Sequence, residues 1–241
     1  MSGQWWLSEW AALDLETTGL DVESDRIVQA ALVWTNCGVV VEERTWLADA
    51  GQQPVPAEAT KLHKIPERHA HRYGRPAGLV AEMVAQALAG AVIDGLPIVV
   101  ANAPYDLTLH DRELERDGRW SLAVSSGHSP LRVLDPLLLD RVLDPYREGR
   151  RRLVDLCEHY EVEHEGPHRA DADAAAAAAV AFQIVGRFPE LRQMSLQEVH
   201  DRQVGWALER AAARERRLRK TDPTAVVDGS WPLIPRQEVT R

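Results

Sequence analysis

A chain of 241 residues, 45% hydrophobic and 27% charged, has room for one sizeable folded domain with an appended segment, and its composition excludes wholesale disorder. A formal net charge of −9 excludes a broad basic face for gripping duplex DNA, so any nucleic-acid contact should be small, with cations assisting at the phosphate. Two cysteines, Cys37 and Cys157, exclude a disulfide framework and a CxxC metal site, and point to reduced, inert thiols. The low-polarity run at 174–185 is too short for a bilayer, and the N-terminus lacks a basic-then-apolar leader pattern. A soluble, cytoplasmic protein with no membrane contact is the expectation.

Residues 10–16 alternate apolar and polar, setting Leu13 and Leu15 on one face of a strand and Asp14 and Glu16 on the other. Further strands are expected over 26–35 and 39–47, joined by a hairpin turn at Asn36-Cys37-Gly38. A proline-bearing loop follows at 52–56, and 76–91 has the period and the Ala/Leu content of a helix. Then come a short buried strand at 97–101, a helix at 106–116, and a strand at 131–135 that Pro136 stops before another helical stretch. Helices are expected at 151–160 and 171–186, with Pro189 as a boundary. Ser195 and Glu198 form a capping box that opens a polar helix running to about residue 220, and a proline-containing extended tail follows. Three antiparallel strands, a helix, then strands alternating with helices predict an α/β domain over 1–189, with a helical appendage and tail over 190–241.

Three segments carry the chemistry. In DLETTGL, Asp14 and Glu16 lie two residues apart on a strand, so two carboxylates ~6.6 Å apart along the chain face one centre. Thr17, Thr18 and Gly19 follow, where backbone can approach a ligand, and Leu20 could wedge against a terminal base. Asp106 in ANAPYD follows a buried strand and reads either as a ligand or as the cap of the next helix. Asn102 reads equally as a cap or turn residue, and Tyr105 as either a stacking platform or a core side chain. In HRADAD, His168 sits in a loop after Gly166-Pro167, and Asp173 in the first turns of a helix, where the anion is stabilised. Asp171 competes for the ligand role but reads better as the N-cap. A histidine beside metals can take a proton at neutral pH. Four acids and one histidine suffice for hydrolysing a phosphodiester with two divalent metals.

In order and spacing, these segments resemble the histidine-type DEDD family of 3′-to-5′ exonucleases, including the proofreading epsilon subunit of bacterial polymerase III and its relatives. DLETTGL meets the pattern DxETTG. Asn102-Ala-Pro-Tyr-Asp106 meets NAxFD, with Tyr105 for the usual Phe. His168 and Asp173 meet H-x4-D. The likeness covers roughly residues 8–187 and implies a ribonuclease-H-like mixed sheet flanked by helices, with two Mg2+ or Mn2+ ions. Asp14 would bridge both ions, Glu16 and Asp173 would complete the first site, and Asp106 would support the second. His168 would be the general base for the attacking water. Thr17, Thr18 and Leu20 would hold the terminal nucleotide; Asn102 and Tyr105 are further candidates for binding it on their position alone. Residue 169 is Arg rather than Tyr, which disfavours the tyrosine-type branch.

The expected activity is release of nucleoside 5′-monophosphates from single-stranded 3′ ends, DNA favoured over RNA, in proofreading or repair. A DNA polymerase or replisome component is the candidate protein partner. The rivals are an RNA-directed exonuclease of the same family, like oligoribonuclease or RNase T, and a catalytically silent polymerase accessory subunit. Retention of all four acids and the histidine counts against the silent subunit. His63 either lines the nucleotide pocket or packs a loop. The other histidines, His164 among them, read as surface or structural. Arg147, Arg150, Arg151 and Arg152 either guide a strand or begin a solvated helix.

Overall fold

The alternation at residues 10–16 becomes the central strand of a six-stranded sheet. The computed structural model describes residues 4–236. After a 3-10 turn at Trp5–Leu7, β1 (Glu9–Thr17) pairs antiparallel with β2 (Ile27–Asn36), and β2 with β3 (Val39–Asp49). Cys37 and Gly38 turn the β2–β3 hairpin with φ of 50° and 77°, the mirror-image turn that suits strand twist. Next come α1 (Ala57–His63), α2 (Glu67–Tyr73) and β4 (Arg75–Pro76), which lies parallel to β3. Helix α3 (Ala77–Ile93) leads to β5 (Ile98–Val99), parallel to β1. Helices α4 (Ala103–Arg116) and α5 (Leu122–Ser125) lead to β6 (Val133–Leu134), parallel to β5. The chain then forms α6 (Pro136–Leu143), α7 (Leu153–His159), α8 (Ala170–Arg187), α9 (Pro189–Arg192) and α10 (Leu196–Leu218). The sheet order is β4-β3-β2-β1-β5-β6, so the expected mixed sheet of antiparallel then parallel strands is present.

Period-two burial sorts the side chains of β1. Ala11, Leu13 and Leu15 join the core under α3 and α4. Trp10 and Ala12 join the opposite core, beneath α8 and α7. Both faces are therefore covered, which is why β2 reads as an almost unbroken apolar run. The buried face of α8 is largely alanine (Ala174, Ala177, Ala178, Ala181), so its backbone can lie close on β1 and β2. Asp14 and Glu16 continue the α8-facing series past Ala12, where the N-terminus of α8 meets the sheet.

Helix α4 begins three residues before the predicted 106–116. Pro104 suits a helical first turn, and Asn102 turns the chain in with φ of 61°. Asp106 is thus inside the first turn rather than its cap. Asp171 is likewise not the N-cap of α8. Arg169 holds that position, and the buried Asp171 is paired with the Arg169 guanidinium. The capping box at Ser195 and Glu198 opens α10 as expected.

Side chains of α10 dock on the outer edge of β6. Gln203, fully buried, donates to the Val133 carbonyl at 2.8 Å and accepts from the Asp135 N–H at 2.8 Å. His200 Nδ1 accepts from the Val133 N–H at 3.0 Å. Trp231 of the tail is buried in the core shared with α3 and α4. The tail then crosses α4, where the Ile234 N–H reaches Thr108 at 2.9 Å and its carbonyl accepts from Arg112 at 2.8 Å. Among the described residues, no helix is long and apolar enough to cross a membrane.

The fully buried Asp140 organises the segment between α6 and α7. It accepts from Arg147 at 3.0 Å, Arg151 at 2.8 Å and the Tyr160 hydroxyl at 3.1 Å. Arg152 pairs with Asp155 in the first turn of α7. Three of the four arginines in the 147–152 cluster therefore have structural partners. Removing the acid leaves buried cations without an anion, which costs about 3–5 kcal/mol. Asp140→Ala should therefore lower the melting temperature by about 10 °C, at roughly 2–4 °C per kcal/mol for this size. An unchanged calorimetric melt would refute the assignment.

Candidate active site

Strand β1 supplies the first two acids from one rigid element, and the first turn of α8 brings the third. Carboxylate oxygens of Asp14, Glu16 and Asp173 lie within 4.8 Å of one another. Asp106, buried in the first turn of α4, stands beside them and accepts the Leu15 N–H at 3.1 Å. Asp14 is held well above the usual carboxylate range, first by burial and then by the charges of Asp106, Asp173 and Glu16. Burial, then Asp173, pushes Glu16 up to about 7. Asp106 is raised mainly by burial, against which the Leu15 N–H acts. Such crowding of like charges is unfavourable unless a cation joins it. The donor set is all carboxylate oxygen, which suits a hard divalent ion, so the residues fit the metal that the motifs imply.

A buried acid that the motifs do not contain positions Asp106. Asp135, at the end of β6, accepts from the N–H groups of Asn102 (3.2 Å) and Ala103 (3.1 Å) at the start of α4. It also caps α6 through Leu137 (2.9 Å) and Leu138 (3.2 Å). One carboxylate thus ties the start of α4 to β6. Its sequence signal was an Asp preceding Pro136, an ordinary helix start.

Around the acids, Tyr105 is half-buried, and its hydroxyl lies 2.5 Å from both the Thr17 hydroxyl and the Gly19 carbonyl. Burial pushes that phenol up to about 12. Thr18 turns inward, donating to Asp25 at 2.6 Å and accepting from the Arg26 N–H at 3.0 Å. An added Cβ at Gly19 would sit 2.5 Å from a carboxylate oxygen of Asp25, so a larger residue would have to displace the carboxylate that the Thr18 hydroxyl and the Asp21 N–H engage. Leu20 is 88% exposed beside the acids' loop.

The two histidines near Asp173 divide its carboxylate. His168 is exposed, with φ of 67°, and its backbone N–H donates to one oxygen at 3.1 Å. The other oxygen lies 2.5 Å from Nε2 of His164, a largely buried ring. The turn through Gly166 and His168, both at positive φ, folds the loop back and brings His164 to Asp173. Spacing alone does not show this. His63 Nδ1 accepts the Ile65 N–H at 3.1 Å, and its Nε2 is buried without a partner. Burial lowers the pKa of His63, and His168 nearby acts in the same direction.

A mixed sheet of this order, with acids gathered at the end of its central strand, is that of a ribonuclease-H-like domain. Comparison with known proteins agrees. The chain belongs to the RNase_T exonuclease family, whose model matches residues 11–181. It is 28% identical over 196 residues to a PolC-type DNA polymerase III of Lacticaseibacillus paracasei, covering 81% of this chain and 12% of that one. It is 29% identical over 188 residues to the 3′-5′ exonuclease DinG of Bacillus subtilis, covering 78% of this chain and 19% of that one. The chain thus spans less than a fifth of the length of these curated relatives. Among solved structures, Escherichia coli exonuclease I with a dT13 oligonucleotide superposes with a TM-score of 0.64 at 23% identity, over 76% of this chain and 42% of that one. A zinc-bound form of the same enzyme with single-stranded DNA gives 0.65 at 22% identity, over 76% and 42%. At those identities the superpositions establish the fold.

Proposed function

We propose that the protein is a metal-dependent 3′-to-5′ exonuclease that releases nucleoside 5′-monophosphates from single-stranded DNA ends. The observation that carries this reading is the convergence of Asp14, Glu16 and Asp173 within 4.8 Å, with Asp106 alongside, in a member of an exonuclease family. Asp14, Glu16 and Asp173 would hold one divalent ion, Mg2+ or Mn2+, and Asp14 with Asp106 a second. When bound, such ions supply charge to the attacked phosphate and the leaving 3′ oxygen. His168, exposed on the loop before α8, accepts the proton of the attacking water. His164 and the His168 N–H orient the Asp173 carboxylate. Leu20 and Tyr105 frame the terminal nucleotide, with Thr17 and Thr18 shaping the turn beneath it and Asn102 fixing the start of α4. The DNA preference is supported by the PolC-type DNA polymerase relative and by the exonuclease I neighbours bound to deoxyoligonucleotides, and the polymerase partner by the PolC-type relative.

Incubation with 5′-labelled DNA and RNA oligonucleotides, with Mg2+, Mn2+ or EDTA, tests the reading. The expected result is a metal-dependent ladder shortening from the 3′ end, faster on DNA. Intact polymers under every metal would sink it.

Metal binding should also show in stability. Because folding raises Glu16 from 4.5 to about 7, its contribution to the metal-free protein is present at low pH and is lost as pH rises through 7. A cation replaces the proton, so it binds better above that value. At about a hundredfold over Kd the ion stabilises by about 2.7 kcal/mol, and the melting temperature should rise by roughly 5–10 °C. The rise measured by scanning calorimetry should be larger at pH 8 than at pH 6. An equal or reversed pH response would contradict the carboxylate assignment.

A further inference from the structure

A cleft of about 420 Å3 lies between α6, α10 and the tail, bordered by Asn102 and Pro104. Arg141, Arg210, Arg214 and Arg217 line it. In a chain with nine more acids than bases, most arginines near the sheet have carboxylate partners, as Arg26, Arg112, Arg116, Arg147 and Arg151 do. Among the described residues, none of the four in the cleft has an ion pair or a side-chain hydrogen bond. Burial, with Arg141 and Arg151 nearby, lowers the pKa of Arg210, as expected where cations gather unneutralised. Two acids share the wall. Asp135 is engaged by four backbone N–H groups, and Asp228 accepts the Ser230 N–H at 2.8 Å. Trp231, also on the wall, leaves its buried indole N–H without an acceptor. The cleft therefore presents an excess of donors and positive charge.

Its position says which anion it suits. Pro104 and Asp106 are two residues apart in the first turn of α4, about 3 Å along the axis. Pro104 borders the cleft, while Asp106 stands with the acids. Arg210, Arg214 and Arg217 follow the i, i+4, i+7 spacing of one helix face, a row about 10 Å long. A stacked strand advances ~3.4 Å per nucleotide, so the row can follow more than one phosphate. We infer that this cleft binds the phosphodiester backbone of a single strand a few nucleotides before the end being cleaved. The inference rests on the exonuclease reading, but its test does not need turnover.

The test is fluorescence anisotropy of the full chain with a long 5′-fluorescein oligothymidylate in EDTA, where nothing is hydrolysed, between about 50 and 200 mM KCl. R210Q/R214Q/R217Q should weaken binding by about tenfold or more. It should also reduce the slope of log Kd against log salt by about 2, at ~0.7 per lost phosphate contact. The triple Arg→Lys variant should keep the slope. A Gln variant that melts like the parent and binds with unchanged Kd and slope would overturn the inference. So would displacement of the oligonucleotide by equimolar thymidine monophosphate or inorganic phosphate, which would mark a free-phosphate site. Displacement by a polyglutamate peptide at equal charge would overturn it too, in favour of an acidic protein partner. Normal salt dependence without hydrolysis of any oligonucleotide would sink the exonuclease reading and leave the cleft assignment standing. Hydrolysis with an unchanged slope would do the reverse.

Discussion

Asp14→Asn should abolish metal-dependent degradation, by at least about 10³-fold, while making the metal-free protein more stable. Asp14 lies at the centre of the cluster, with Asp106, Asp173 and Glu16 all raising its pKa. Loss of a ligand that two ions would share removes several kcal/mol of charge stabilisation at the phosphate, and ~4 kcal/mol is about a thousandfold. The same substitution deletes a buried negative charge from a group of four. The melting temperature in EDTA should therefore rise by a few degrees at pH 8, at roughly 2–4 °C per kcal/mol. The rise should be smaller at pH 6, below the value of about 7 to which Glu16 is pushed, where part of the cluster's charge is already neutralised. Residual activity within tenfold of the parent in an end-labelled assay would show that the acids are not the reacting centre. Activity and stability pulling apart in this way is the signature of a functional cluster rather than a structural one.

His168→Ala should lower kcat by about 10²–10⁴-fold, the range for losing a positioned general base. Its ring is exposed, so the melting temperature should barely move. His164→Ala should behave differently. Its ring is largely buried against Asp173, so its removal should raise the metal concentration needed for half-maximal rate and lower the melting temperature. The two readouts separate the roles. A larger kcat loss in His164→Ala than in His168→Ala, with metal saturating, would transfer the base assignment to His164.

Much of this arrangement is legible in the chain because it depends on local rules. The period of two in β1 fixes the side to which Asp14 and Glu16 point. Cys37-Gly38 sets the hairpin, and Ser195 with Glu198 sets the start of α10. Helices α1 and α2 carry little local signal, because each is seven residues long, rich in charge and histidine, and entered from a proline with no side-chain cap. Asp171 departs from the rule that a carboxylate near a helix start usually caps it, because here the preceding Arg169 claims it. His164, Asp135 and the arginine cleft lay beyond local reasoning altogether. Each acts through partners brought together by the fold, 9 residues away for His164 and 32 or 33 for Asp135. The cleft gathers residues from Asn102 to Trp231.

The docking of Gln203 and His200 on β6 bears on how the sheet ends. A terminal strand with bare amides and carbonyls invites another chain to add to it. Here side chains of one helix stand in for the missing neighbour, engaging the outward N–H and carbonyl of Val133 and the N–H of Asp135. The family match stops at residue 181. A version trimmed to that boundary would lose this cover and bare the strand that precedes Asp135. Self-association of such fragments would then report the missing lid on that edge, and say nothing against the intact chain.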